Sequence, residues 1–427
     1  MTMATILSRG LAAGRCFRRA MCAAAAAATA GSSQHHRAPP PTEALPQSVR
    51  GIFSNYCDLG PLETQSWDTV LDHCNGLLLY HPSNIDDSLC VCNPTTRRWA
   101  LLPPHGGDVD IDGCAGAYLA FDPAVSPHYE VVLIPEVPDE DVGDDSMTTM
   151  EMEWPPAACK LQVFSSSTGR WSERAFAGRP FCTVAEARSY PVEPVFWGPD
   201  RRYAEYWKGA LYVHCRGAYV TRLSLSDDKY EVIETPTDIE KDEVNGAIPY
   251  LGRSKNGVCY AVLQGHELWV WILDERAEQM DWVLAHYANL EKLRQRPMWC
   301  HLYDEIDNAP WAIFDRWADC GEEQKVDVEE VNEWDSDNDG VIDFEKFNWQ
   351  SVGGSDPCSL KFLGTHPFKE VVFFSYCFHV ISYHLGSSKV QYLGYARPKD
   401  YMNHCASFEQ SFLYTPCSID FLPGNHL

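Results

Sequence analysis

LCVCNPTTRRWALLPP, residues 89–104, holds two apolar runs separated by six polar residues that include a proline. Asn93-Pro94 opens a turn, because the pyrrolidine ring fixes φ and steers the residue before it away from helix. Trp99 then opens a second run of strand length. The stretch reads as a β-hairpin whose aromatic is placed to pack between neighbouring sheets. Cys90 and Cys92 fall on one face of the first strand, since side chains alternate along it.

The same unit returns in weakened form as QVFSSSTGRWSERAF, LSLSDDKYEVIETP and, more loosely, WILDERAEQMDWVL and SYHLGSSKVQYLG. Trp99, Trp171, Tyr230 and Trp282 mark the repeated aromatic, and the last two intervals are 59 and 52 residues. These lie near the ~50-residue period of kelch-type propeller blades. The first interval is stretched by the acidic segment EVPDEDVGDDSMTTMEME, residues 136–153. From about residue 45 onward, runs such as AYLAFDP, YEVVLIP, ALYVHC, LWVWILD and EVVFFSY are broken by Gly, Pro, Asn, Asp and Ser, the pattern of strands and turns. Only MDWVLAHYANLEKLRQ, residues 280–295, lets a helix compete. Radial closure leaves no long exposed edge strand. The expected fold is therefore a single all-β, propeller-like domain over residues 45–420, with six to eight irregular blades at ~50 residues each. Acidic excursions near 136–153 and 321–346 are expected to be loop-like or disordered.

Composition narrows the function. The net charge is -26, and the first 42 residues hold five arginines and no acid, so the rest is more acidic still. Such a surface repels nucleic-acid phosphates and anionic lipid, and no nucleic-acid or membrane partner is expected. No stretch approaches the ~20 apolar residues of a membrane span. The 17 cysteines are scattered, odd in number and without a CxxC pair, which favours reduced core thiols and a cytoplasmic or nuclear protein. Residues 1–44 form an Ala-, Arg- and Pro-rich leader expected to be disordered. If residues 1–42 act as a transit peptide, the destination is a mitochondrion or chloroplast instead.

WDSDNDGVIDFEKF, residues 334–347, places Asp335, Asp337, Asp339, Gly340 and Asp343 as an EF-hand loop does, but Lys346 stands at the closing position. That position ordinarily supplies two carboxylate oxygens to a cation that takes about 6–8. The loop reads as non-binding, and neither metal nor cofactor is expected. No GxSxG, HExxH or phosphate-loop motif occurs, and no catalytic residue is identifiable. An interaction module is the first reading. The alternatives are a propeller enzyme acting on glycans, which needs a carboxylate pair, and a calcium-regulated binder using the loop at 335–346.

DHCNGLLLYHPSNIDDSLCVCNPTTRRWALLPP, residues 72–104, resembles the opening of the F-box-associated domain of plant F-box proteins. The matching positions are Asn75, Gly76, Asn93, Pro94, Thr95, Arg98 and Trp99. VFSSSTGRWSERAF with Trp171, YWKGALYVHC and YLGRSKNGVCYAVL look like the grass-type branch of that family. The resemblance spans about residues 45–420. It implies a kelch-like propeller that recognises an unidentified protein ligand for a cullin-type ubiquitin ligase, with the motif residues serving turn and core. Trp99 is accordingly expected to be largely buried, and Trp99→Ala to cost about 3–5 kcal/mol. Family members dock on a Skp-type adaptor through a helical F-box. After EALPQSVRGIF, residues 43–53, no amphipathic helix follows, so docking of that adaptor is not expected of this chain.

Overall fold

The computed structural model describes residues 51–55, 69–81, 89–96, 98–105, 114–138, 149–190, 203–236, 248–276, 280–294, 341–343, 360–376, 379–395, 410–419, 422 and 425–426. Within them, apolar alternation and tight turns build five antiparallel sheets of four consecutive strands. The first comprises Thr69–Cys74, Leu77–His81, Cys90–Asn93 and Arg98–Leu101, with Asn425–His426 added at its outer edge. The second comprises Cys114–Ala120, Glu130–Pro135, Ala158–Ser165 and Arg170–Ala177, and the third Ala204–Trp207, Ala210–Cys215, Tyr219–Ser224 and Lys229–Glu234. These two touch through one parallel pairing of their outermost strands, Ala177 with Lys229. The fourth runs Ile248–Ser254, Gly257–Gln264, Glu267–Asp274, Asp281–Asn289. The fifth runs Leu360–Thr365, Val371–Tyr376, His379–His384, Lys389–Tyr395, with Val341–Asp343 paired outside it.

The first strand of each sheet packs against the first strand of the next. Thr69–Cys74 meets Cys114–Ala120, which meets Ala204–Trp207, then Ile248–Ser254, then Leu360–Thr365. Leu360–Thr365 meets Gln410–Tyr414, which returns to Thr69–Cys74. Gln410–Tyr414 is paired with Gly51–Asn55, so the first described strand joins a strand from near the other end. Six inner strands close a ring, and the fold is an all-β propeller.

Among the described residues, one hydrophobic core fills each gap between successive sheets from the first to the fifth. Leu211 and Val213 point toward the second sheet, where they pack with Val132 and Phe176 and with Tyr230 of their own sheet, while Ala210 and Tyr212 point toward Tyr260 and Trp271 of the fourth. A strand buried on both faces has no polar side. For that reason ALYVHC reads as a continuous apolar run rather than an alternating one.

Several expectations need correction. Trp99 is half-buried rather than largely buried, and Trp171 likewise, whereas Tyr230 and Trp282 are 3% and 8% exposed. All four stand on the fourth strand of their sheet, and what covers them differs. The Tyr230 hydroxyl donates to Pro155 O and Pro156 O, and the Trp282 indole donates to Glu234 O of the third sheet at 2.9 Å. Trp171 lies against Phe164 and His105, with its indole donating to Pro103 O at 2.7 Å. Within residues 280–294, Asp281–Asn289 forms a strand before the single helical turn Glu291–Arg294. Cross-strand stacking of Trp269 on Tyr287 supports the strand.

The end of the first acidic insert is ordered too. Glu153–Trp154 pairs with Cys182–Thr183, which leads into the helix Val184–Arg188 through a capping box between Thr183 and Glu186. Val137, Val184 and Ala187 share a small core there with Met150 and Trp154. Residues 139–148, the leader 1–44, and Asp335, Asp337, Asp339 and Lys346 lie outside the described residues. Asp343 ends the strand Val341–Asp343, opposite Lys389, so the second acidic insert is not loop throughout.

Candidate functional site

The inner strands turn outward through tight turns, and the side chains near those turns gather at one mouth of the ring. Asn75 and Gly76, at φ 44° and 90°, form a two-residue turn in the left-handed region that suits Asn-Gly. Lys208 and Gly209, at 48° and 84°, do the same in the third sheet. Arg253, near the end of its inner strand, lies between the aromatic rings of Trp207 and Phe368, its guanidinium carbon 5.5 Å from each centroid. Its Nη2 donates to Asn75 Oδ1 at 3.4 Å, and its Nε stands 3.8 Å from Glu205 Oε1. The first, third, fourth and fifth sheets each contribute to this cluster.

Backbone contacts fix it. Arg253 O accepts from the Thr365 hydroxyl at 2.9 Å, and Asn75 Nδ2 donates to Phe121 O at 2.6 Å. Asn256 Nδ2 donates to Glu370 Oε1 at 2.9 Å, tying the fourth sheet's turn to the fifth's. Phe368 N donates to His366 Nδ1 at 3.0 Å, which holds the loop that carries the Phe368 ring.

Electrostatics follow from depth. The side chains of Arg253 and Glu205 are 13% and 16% exposed. Burial pushes the Glu205 carboxyl up to about 7, with Arg253 pulling it back only in part. His73 is pushed down to about 4, by burial first and then by Arg253. Burial also raises the Cys74 thiol and the Tyr250 phenol well above their ordinary ranges. Glu205 therefore titrates near neutrality beside the Arg253 guanidinium. Such perturbed groups, converging from four sheets, mark a candidate binding site. Among the described residues no group of three His, Cys, Asp or Glu is placed to hold a metal ion.

Of the described residues singled out in the sequence, Asn75 reaches this mouth. Gly76, Asn93, Arg98 and Trp99 instead meet the C-terminal segment. A Cβ at Gly76 would come within 2.5 Å of Cys417 Cβ. The fully buried Asn93 donates to Cys417 O at 2.9 Å and Ile419 O at 3.3 Å, while its Oδ1 accepts from Thr95 N and Thr96 N. Pro94 is buried beside it. Arg98 Nη1 donates to Leu422 O at 3.1 Å, and Trp99 lies opposite Asn425. Cys417 and Leu422 enter the core between the first and second sheets. The signature thus serves mainly as a clasp that fastens the end of the chain onto the first sheet. Sequence reasoning missed Glu205, Trp207, Arg253 and Phe368. The turn glycine after Trp207-Lys208 was the available signal for an inner-strand end.

A second space, of about 70 Å³, opens between the second and third sheets beside Tyr118, Trp154, Leu161, Val213 and Tyr219. Burial pushes Cys159 there to about 11 and Tyr230 to about 12. Arg216, also lining it, is committed to the carbonyls of Tyr190 and Arg188 at 2.9 Å. This space is a mostly apolar packing gap, whereas Glu205, with its carboxyl pushed up to about 7, lies at the axis.

Ring and sheets together define a β-propeller. No family model matches the sequence, and no curated protein does. Among solved structures, a chain of "Crystal Structure of Mitotic Checkpoint Complex" is 9% identical over 83% of this chain and 80% of its own, at a TM-score of 0.28. A chain of "YCF48 bound to D1 peptide" is 7% identical over 78% and 70%, at 0.33. A chain of "Crystal structure of BBS1N in complex with ARL6DN, soaked with mercury" is 12% identical over 50% and 52%, at 0.25. Likenesses this distant carry no argument about what this chain binds.

Proposed function

We propose that this chain is a protein-binding propeller of the F-box-associated kind, a substrate-recognition arm of a ubiquitin ligase that receives its protein ligand at the axial mouth. The observation that supports it is the convergence of Asn75, Glu205, Trp207, Arg253 and Phe368, from four sheets, on one mouth. Two aromatic rings and an arginine are the residue types that dominate protein interfaces. The F-box-associated part of the reading rests on the resemblance of residues 72–104, and fold alone does not fix function. Affinity capture from a plant cell extract tests it, with the wild-type chain and a Trp207→Ala/Phe368→Ala variant side by side. The expected result is a protein retained by the wild type, lost with the variant, and more abundant when the proteasome is inhibited. Identical captures by the two chains would refute the axial mouth as the receptor face.

A further inference from the structure

Resting on that receptor reading, we infer that Arg253 is a carboxylate-binding residue: its guanidinium, held between Trp207 and Phe368, takes one carboxylate of the protein ligand. A guanidinium carries five N–H donors in a planar fork. Among the described residues Arg253 makes one side-chain hydrogen bond, the long 3.4 Å contact to Asn75. Its Nε is buried without a hydrogen-bond partner, because Glu205 stands 3.8 Å away, beyond hydrogen-bond reach. The flanking rings of Trp207 and Phe368, each 5.5 Å from the guanidinium carbon to the ring centroid, offer it no hydrogen-bond acceptor oxygen. A guanidinium fork that is partly desolvated and has most of its donors unspent among the described residues matches the two oxygens of a carboxylate.

A purely internal ion pair with Glu205 is the competing account, and the geometry goes against it. Charge-assisted N–H···O contacts settle near 2.7–2.9 Å, about an ångström shorter than here. A well-made pair would also lower the Glu205 carboxyl, whereas burial dominates and raises it. Glu205 is better placed as an internal competitor that shares the fork when ionised and leaves it when protonated. With one guanidinium beside a second acid, the site suits a singly charged carboxylate rather than a phosphate dianion.

Other polar and titratable groups face Glu205 and Arg253 from the surrounding strands and turns. His73 is held neutral, Cys74 and Tyr250 are raised well out of range, and Cys259 is raised to about 12. Asp72 accepts from Leu119 N at 2.7 Å, Glu370 accepts from Asn256, and Lys208 is paired with Glu275 at 3.2 Å. His366 is pushed down to about 3, by burial first and then by Lys369 of the same loop and by His384. A ligand carboxylate would raise Glu205 further, so binding takes up a proton and weakens as pH rises through about 7.

The test titrates the full chain with short capped peptides and follows the Trp207 indole N–H by nitrogen-15 NMR, assigned through Trp207→Phe. Ac-Gly-Gly-Glu-Gly-Gly-NH2 offers an acidic side chain, Ac-Gly-Gly-Gly-Gly-OH a chain-terminal carboxylate, and Ac-Gly-Gly-Gln-Gly-Gly-NH2 neither. Saturable shifts are expected from at least one acidic peptide and none from the glutamine peptide, and whichever acidic peptide binds identifies the carboxylate source. Inorganic phosphate should bind more weakly than that peptide. Arg253→Gln and Arg253→Lys should each lose tenfold or more in affinity. Melting temperatures show whether each variant folds, and the lysine variant keeps the charge while removing the fork. Affinity should fall between pH 6 and pH 8, and Glu205→Gln should flatten that fall. Equal shifts from the glutamine peptide, unchanged affinity in folded Arg253→Gln or Arg253→Lys, or no shift from either acidic peptide would overturn the inference. A captured protein lost with Trp207→Ala/Phe368→Ala but retained by Arg253→Gln would sink this inference and leave the receptor reading standing.

Discussion

Two turns of the same backbone geometry end inner strands of the first and third sheets, and they carry different burdens. Asn75-Gly76 and Lys208-Gly209 both place two consecutive residues at positive φ, as a two-residue hairpin requires. At Gly209 a Cβ would meet nothing within 4 Å, and Lys208 is exposed, reaching Glu275. Gly76 is roofed instead: a Cβ there would lie 2.5 Å from Cys417 Cβ, 2.6 Å from Cys417 N and 2.8 Å from Thr415 O. Local turn chemistry explains both glycines equally well. Only at Gly76 does the far end of the chain depend on the missing side chain, so the Asn-Gly pair belongs to ring closure as well as to its hairpin.

The sharpest way to break this comparison is to add one methyl group to each turn. Gly76→Ala combines left-handed strain with overpacking against backbone, and should cost roughly 2–4 kcal/mol. Gly209→Ala meets strain alone and should cost about 1 kcal/mol. Urea unfolding of the two variants measures both, and equal losses would remove the distinction. Asn93→Ala should come next, at about 1–3 kcal/mol, because it orphans the carbonyls of Cys417 and Ile419. Trp99→Ala should cost about 2 kcal/mol, below the range for fully buried aromatics, since the ring is half-exposed.

The smallest effect is on pH dependence. The folded-state value of Glu205 is raised from 4.5 to about 7, so its contribution to stability is present at low pH and lost as pH rises through that window. His73 is lowered from 6.5 to about 4, and its contribution is lost as pH falls through that range. The two oppose one another where the windows overlap. The melting temperature of Glu205→Gln should therefore climb more steeply from pH 4.5 to 6.5 than that of the wild type, and should exceed the wild-type value at pH 8. Parallel curves would show that Glu205 is not raised.

What the sequence revealed follows the same division. Strands buried on both faces, such as Ala210–Cys215 and Gly257–Gln264, announce themselves as apolar runs. The signature around Asn93 and Trp99 was legible as turn and strand because proline and an aromatic leave strong local marks. Its partner, the segment around Cys417, lies more than three hundred residues away, and no local pattern links the two. The axial site was illegible for a different reason. Inner strands are short and face the ring's axis, so Thr69–Cys74 and Ala204–Trp207 carry Asp72, His73 and Glu205 where an apolar run would be sought. A polar residue inside a short strand counts against that strand in sequence reading, yet at the axis it is the functional signal.

Cys417 offers the most direct test of the clasp. It is 1% exposed, lies under the Gly76 turn, and has its carbonyl bonded to Asn93, while Cys259, fully buried in the fourth sheet, serves as an internal control. The measurement is the rate of alkylation of each thiol in the folded protein, read by peptide mass spectrometry. If the signature fastens the end of the chain, Cys417 should label at least tenfold faster in Gly76→Ala and Asn93→Ala than in the wild type or Gly209→Ala, with Cys259 unchanged in all four. An unaltered Cys417 rate in both variants, or an equal rise at Cys259, would contradict the account.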